Sequence, residues 1–178
     1  MIKKIYFLIF ILFSCTNDPN IVKDFVSEKN LPIEEIEDAE LLHTENGKIK
    51  VKIIAGNIER FINKQPELLF SEDIEIYFYN ESEEIKSKLY SKNAKVDKEA
   101  KIMVAYNDVH LVSSDNKRLE TEELMWDQAS DRVFTEKDVK IITNKEIVYG
   151  KGFYANSDFT KYEITNIKGT FDINNQIE

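Results

Sequence analysis

The strongest constraint on the fold is a succession of short β-favouring runs between Leu119 and Phe171. No run is long enough for an ordinary helix, and Asp, Asn, Ser and Gly interrupt the pattern at short intervals. Such spacing is typical of an antiparallel all-β sandwich or barrel. The runs predicted to be strands are Leu119–Trp126, Arg132–Thr135, Val139–Thr143, Glu146–Tyr149, Phe153–Ala155 and Tyr162–Ile167.

Clusters of turn-forming residues separate these runs, and we expect the chain to reverse at each cluster. Gly150 and Gly152 stand on either side of a single residue, a pattern that predicts a bulge or a bend at the edge of the sheet. The predicted turns are Asp127–Asp131, Glu136–Asp138, Asn144–Lys145 and Asn156–Asp158.

The same alternation begins further upstream. The upstream runs are Lys48–Ile54, Ile58–Ile62, Ile74–Tyr79, Ile85–Val96 and Lys101–Val112. In the last of them Ile102, Val104 and Tyr106 share one face. The apolar phase then shifts, which predicts a β-bulge near Asn107–Asp108. Leu31–Leu42 fits either a short helix or a weak edge strand at the entry to the domain.

The N-terminus has the pattern of an export signal. Two lysines precede a nine-residue apolar run, Ile5–Phe13. A transmembrane helix needs about 20 apolar residues, so this run favours the core of a secretory signal over residues 1–14. The segment Leu12–Cys15 resembles the lipobox of bacterial lipoproteins, whose cysteine is acylated and becomes the first residue. The alternative is a short uncleaved anchor. We predict a tether over residues 15–38 and a β-domain over residues 39–178.

Charge and residue content argue against two classes of function. The formal net charge is −9, whereas a nucleic-acid-binding surface needs clustered Lys and Arg. His43 and His110 are the only histidines, and Cys15 is the only cysteine. The sequence contains no catalytic or phosphate-binding motif. We therefore predict a protein that is not an enzyme, binds no nucleic acid and needs no metal or cofactor.

The C-terminal half resembles the LptC family. The matching features are Leu124, Trp126 and Asp127 before a turn, Asp131-Arg132-Val133, Thr135, Val139, Gly150-x-Gly152-Phe153 and Asp158-Phe159. The resemblance is clear over residues 85–171 and looser over residues 40–84. It implies an open, twisted antiparallel β-jelly roll of the OstA-like type.

The resemblance also implies a function. Proteins of this family receive lipopolysaccharide from the inner-membrane LptB/LptF/LptG transporter and pass it to LptA, a related periplasmic protein. Family members are often anchored by one transmembrane helix. Here an acylated Cys15 would tether the periplasmic domain to the inner membrane instead.

Two sets of residues would carry this function. Apolar residues that face the interior are core residues first, but an open jelly roll leaves a slot in which they can hold acyl chains. These candidates are Ile76, Phe78, Ile102, Val104, Tyr106, Leu124, Trp126, Val139, Ile141, Val148 and Phe153. The C-terminal strand, with Tyr162, Ile164 and Ile167, is the candidate edge for a partner strand. The alternative is an envelope lipoprotein with a closed β-sandwich, which acts as a structural or interaction module without lipid cargo.

The lipobox generates a direct prediction. The mature protein should begin at an acylated Cys15, because the signal peptidase that recognises a lipobox cleaves before the modified cysteine. The intact mass of membrane-extracted protein should show the loss of residues 1–14 and the added mass of acyl chains. A mature protein that retains Met1 and an unmodified thiol would contradict this prediction.

Overall fold

The structure is a computed structural model that describes residues 31–62, 64–97 and 99–172. These residues form ten β-strands and no helix, which confirms the predicted all-β class. The predicted signal sequence and Cys15 lie outside the described residues. The strands are β1 (Glu34–Glu45), β2 (Lys48–Arg60), β3 (Leu68–Tyr79), β4 (Ile85–Ser91), β5 (Asn93–Asp97), β6 (Ile102–Ser113), β7 (Arg118–Asp127), β8 (Arg132–Ile142), β9 (Glu146–Asn156) and β10 (Tyr162–Asp172).

All ten strands belong to one antiparallel sheet whose order follows the chain. β4 and β5 occupy one position together, since both lie between β3 and β6 and only Lys92 separates them. Within the described residues, β1 pairs only with β2 and β10 pairs only with β9. The segment Leu31–Leu42 therefore contributes an edge strand, and the helical alternative is wrong. β1 begins at Glu34, inside the segment that the sequence assigned to the tether.

A row of irregular positions crosses the sheet from one edge strand towards the other. At each of these positions the pairing is interrupted, and at all of them except Asp38 the register shifts or an extra residue stands opposite the neighbouring strand. We call this row the kink line. It consists of Asp38 in β1, Gly56 in β2, Glu72–Asp73 in β3, Lys92 between β4 and β5, Asn107–Asp108 in β6, Glu122 in β7, Glu136–Lys137 in β8 and Gly152 in β9.

Left-handed backbone geometry occurs on this row in β1, β3, β6 and β9. Asp73, Asn107 and Asp108 have φ values of 60°, 64° and 58°, and Gly152 has φ of 79°. Asn, Asp and Gly tolerate this region better than other residues. The sheet folds over along the kink line into two layers, which contact each other through Phe78–Trp126 and Ser87–Ser157.

One of the four predicted turns is a kink within a longer strand. Glu136–Asp138 was expected to separate two strands, but β8 continues through this segment with a bulge. β9 continues through Gly152, where the predicted bend is confirmed, and β2 continues through Gly56. The predicted bulge at Asn107–Asp108 is confirmed. The long run Ile85–Val96 breaks at Lys92, whose N–H donates to the Asn107 carbonyl at 3.0 Å.

The space between the two layers holds one contiguous apolar core. Its largest fully buried side chains come from β3, β4, β6, β7, β8 and β9 and from the loop after β9. Leu111, Leu119 and Ile141 have no exposed surface. The sandwich is therefore one sheet folded over on itself, in agreement with the expected β-jelly roll.

We predict that substitution of a glycine on the kink line lowers the free energy of unfolding more than substitution of a glycine in an open turn. Gly47 in the β1–β2 turn and Gly152 both have positive φ, but only Gly152 is crowded. An added Cβ at Gly152 would lie 2.8 Å from Thr165 Oγ1, whereas at Gly47 no atom lies within 4 Å. We expect Gly47→Ala to lower the free energy of unfolding by about 1 to 2 kcal/mol and Gly152→Ala by about 2 to 5 kcal/mol.

Chemical denaturation of the purified variants measures both values. Equal destabilisation by the two substitutions would show that the close approach of β9 and β10 at Gly152 contributes nothing to stability.

Candidate functional site

The interior between the two layers is the candidate site. Phe78 of β3 and Trp126 of β7 lie on strands that are not neighbours in the sheet, yet their rings meet edge to face with centroids 5.2 Å apart. Such aromatic pairs contribute about 0.5–1.5 kcal/mol beyond their buried area. The Trp126 indole N–H donates to Asp131 Oδ1 at 3.3 Å, so its polar atom is also satisfied. This pair joins the two layers.

Most of the residues predicted for the slot do face this interior. Eight of the eleven candidates are buried, each with at most 6% of its surface exposed. All of these except Val148 belong to the contiguous core. The buried candidates are Ile76, Phe78, Leu124, Trp126, Val139, Ile141, Val148 and Phe153.

The other three candidates require a correction. Ile102, Val104 and Tyr106 do share one face of β6, but it is the outer face, where they are only half-buried. The inward residues of this segment are Met103 and Ala105, which are 1% and 2% exposed. Both phases of this run are apolar, so alternation alone could not identify the face that lies inside. On the outer face the Lys95 ammonium lies 5.7 Å from the centre of the Tyr106 ring.

Sequence reasoning also missed a buried aromatic residue in a loop. Phe159 lies between β9 and β10 and has no exposed surface. Its ring packs edge to face on Phe153 at 5.5 Å and on Tyr162 at 5.4 Å. The residue directly follows the predicted turn Asn156–Asp158, and an aromatic residue next to a polar turn is the signal for a buried anchor.

Several buried hydroxyl groups form hydrogen bonds with the irregular backbone at the kink line. Thr121 Oγ1 donates to the Asp138 carbonyl at 2.9 Å, and Thr135 Oγ1 accepts from the Lys137 N–H at 3.1 Å. Ser91 Oγ donates to the Asn93 carbonyl at 3.0 Å, where β4 ends and β5 begins. A kinked ladder leaves backbone groups without strand partners, and such groups are costly when buried. These hydroxyls are therefore structural parts of the kink line.

Both layers end at a rim of turns, which we call the mouth. The first lip carries the β1–β2, β3–β4 and β6–β7 turns, and the second lip carries the β7–β8 turn and the β9–β10 loop. A cleft of about 270 Å³ opens between the lips beside Phe78 and Trp126. Its rim carries Lys50, which is ion-paired with Glu81. This hydrogen bond holds the pKa of Glu81 below and that of Lys50 above its ordinary value.

One loop joins the two lips. It comprises residues 157–161, between β9 and β10, and we call it the cross-mouth loop. Lys86 on the first lip forms an ion pair with Asp158 at 3.3 Å. Ser87 Oγ donates to the Ser157 carbonyl at 2.5 Å. Lys117, also on the first lip, reaches the Thr160 carbonyl at 3.5 Å. In this conformation the mouth is therefore closed at the middle of the sheet.

The apolar interior is uncovered at the two edge strands. On β1, Ile36 and Leu41 stand opposite Ile58 and Ile53, which belong to or pack against the core. Residues opposite each other share a face, yet Ile36 and Leu41 remain exposed.

Apolar residues of the inner face are also uncovered on β10, the predicted partner edge. Tyr162 and Ile164 are half-buried and pack against the core, while Ile167 is 65% exposed. Ile167 stands opposite the buried Gly150 of β9, so its side chain lies on the inner face. The inner apolar layer thus extends to both ends of the sheet.

Comparison with known protein families agrees with this architecture. The family described as lipopolysaccharide-assembly, LptC-related, matches residues 5–172, nearly the whole chain. The chain belongs to the LptC family. The LptC family is a periplasmic envelope component of lipopolysaccharide transport and not a family of enzymes. A search of curated proteins finds no match to this chain.

Two further observations concern the described part of this LptC-family chain. Over residues 31–62, 64–97 and 99–172 no helix is long and apolar enough to cross a membrane. Across those ranges no group of three His, Cys, Asp or Glu side chains is arranged to hold a metal ion.

Proposed function

We propose that this protein is the membrane-anchored periplasmic subunit of a lipopolysaccharide exporter. It receives lipopolysaccharide from an LptB/LptF/LptG-type transporter in the inner membrane and passes it to an LptA-like bridge protein. An acylated Cys15 holds the domain at the inner membrane. The lipid is carried by its acyl chains, which lie between the layers, and the protein acts without catalysis or a cofactor.

The observation that carries this proposal is the apolar layer that reaches both edge strands. An edge strand with free backbone groups is normally protected against pairing. Here both edges expose apolar residues of the inner face, Ile36 and Leu41 on β1 and Ile167 on β10. A partner sheet added at either edge would extend the ladder and the apolar layer together. Lipid could then move between proteins without crossing water.

The character of the interior suits acyl chains. Each CH₂ group transferred from water to an apolar site contributes about 0.8 kcal/mol. Recognition of this kind needs no positive charge, which agrees with an acidic chain of net charge −9. Eight of the predicted slot residues already lie in this interior.

The closed mouth favours a second candidate function. An interior filled by its own side chains and closed at the mouth is also what a structural or interaction lipoprotein without cargo requires. The two functions differ in one respect, which is whether lipid ever contacts residues such as Phe78 and Phe153.

Site-specific photo-crosslinking in cells separates the two functions. A photoreactive residue at Phe78 or Phe153 should capture lipopolysaccharide, because both side chains face the interior. The same residue at Tyr106 is the matched control, since this aromatic side chain lies on the outer face of the same sheet. Capture at the inner positions alone supports transport. Labelling of all three positions alike, or of none, would contradict it.

A second test concerns the C-terminal edge. Ile167 on β10 and Ile62 in the β2–β3 loop are almost equally exposed, at 65% and 62%. We expect Ile167→Asp to weaken co-purification of the LptA-like partner, because a charge on the inner face of the edge strand opposes strand addition. Ile62→Asp should leave co-purification unchanged. Both variants should keep the thermal stability of the parent protein. An Ile167→Asp variant that is folded and retains its partner would exclude β10 as the docking edge.

A further inference from the structure

The cross-mouth loop, residues 157–161, makes two kinds of contact. On its own lip it is held firmly, because the Ser157 N–H and hydroxyl both donate to Asp131, at 3.2 and 2.8 Å. Asn156 accepts the N–H of Phe159 at its carbonyl and that of Lys161 at its side chain, at 2.9 and 3.0 Å. The loop is therefore a preformed part of the second lip.

Its contacts with the first lip are fewer. The Lys86–Asp158 ion pair has side chains that are 37% and 23% exposed. Half-exposed ion pairs contribute little. Ser87 supplies one hydrogen bond to Ser157, and the Lys117 ammonium lies 5.7 Å from the centre of the Phe159 ring. The seam between the lips is thus much weaker than the hydrogen-bonded sheet on either side of it.

The ion pair in this seam persists at neutral pH. Burial opposes the ionisation of Asp158, but hydrogen bonds from Thr160 and Lys86 outweigh it and hold the pKa of this carboxyl below its ordinary value. A lowered pKa keeps the carboxylate charged at all pH values above the usual range for Asp. The Asp158 carboxylate of this pair is therefore charged throughout the physiological range.

The side chains beneath the loop lead into the interior. Phe159 packs directly on Phe153, which is a fully buried slot residue. Phe78 and Trp126 line the cleft on the other side of the seam. Movement of the loop away from the first lip would therefore expose the apolar interior along the mouth, without breaking any strand pairing.

We propose that the cross-mouth loop is a lateral gate that controls the entry of lipid into the interior. This inference rests on the proposed transport function. The gate is closed by Lys86, Ser87 and Lys117 on the first lip, and Phe159 moves with the loop as its apolar lining. Acyl chains enter sideways when the loop and the second lip move together away from the first lip, and the seam re-forms after they leave.

A covalent lock across the seam tests the gate. The full-length variant Lys86→Cys/Asp158→Cys carries the photoreactive residue at Phe78 and is treated with a bifunctional thiol reagent that spans the length of the lost ion pair. Peptide mass identifies the cross-linked product. We expect lipopolysaccharide capture at Phe78 to fall to the level of the Tyr106 control once the lips are linked. The single variants Lys86→Cys and Asp158→Cys, which also retain Cys15, should capture lipid after the same treatment.

The outcomes separate the gate from the proposed function. If the linked and unlinked proteins capture equal amounts of lipopolysaccharide at Phe78, the gate is excluded and the proposed transport function is not. If the unlinked protein captures no lipid at Phe78, both proposals are excluded. Loss of capture in the linked protein alone supports the gate.

A charge exchange provides a second measurement that does not depend on cysteine. Lys86→Asp or Asp158→Lys alone places like charges across the seam, and we expect capture at Phe78 to rise about two- to fivefold. The double variant Lys86→Asp/Asp158→Lys restores an ion pair of reversed polarity and should return capture to the parental level. Single variants that capture lipid at the parental level would exclude this ion pair as a part of the gate.

Discussion

The left-handed backbone at the kink line is the constraint on which the rest of the structure depends. A flat sheet of ten strands in chain order would expose one complete apolar face to water. Asp38, Asp73, Asn107, Asp108 and Gly152 take positive φ on one row, and register shifts mark the same row in β2, β7 and β8. These irregularities let the sheet fold over and cover its own face. The interior, the mouth and the two uncovered edges all result from that one fold. Residues that are costly in a regular strand are thus required here.

The sequence predicted the class of fold and most of the interior for physical reasons. Alternation identifies a buried face where only one phase is apolar, as at Ile74, Ile76 and Phe78. It fails in β6, where Met103 and Ala105 alternate with residues that are equally apolar. The same composition that signals a turn also suits a kink inside a strand, so Glu136–Asp138 was interpreted as a chain reversal. Contacts across the mouth could not be predicted at all, since they join segments far apart in the chain.

The dense packing of the interior determines how lipid would enter under the proposed function. Protein interiors are filled about as densely as organic crystals, and most of the predicted slot residues here are almost fully buried. Acyl chains therefore cannot be added to this interior as it stands. Under the proposed function they would replace contacts between the layers, and the Phe78–Trp126 pair is one such contact. An apolar chain that takes the place of an apolar side chain keeps most of the hydrophobic free energy, so the exchange is close to balanced.

The order of the strands also determines how such a chain folds. Each strand pairs with the next one along the sequence, apart from the β3–β5 and β4–β6 pairings around the broken strand. Pairings between neighbours in sequence have small loop-closure entropy, so they can form progressively from any starting hairpin. The Lys86–Asp158 contact is different, because it spans 72 residues. It can form only after the intervening sheet is in place. Closure of the mouth is therefore a long-range contact that depends on the assembled sheet, unlike the local pairings that build it.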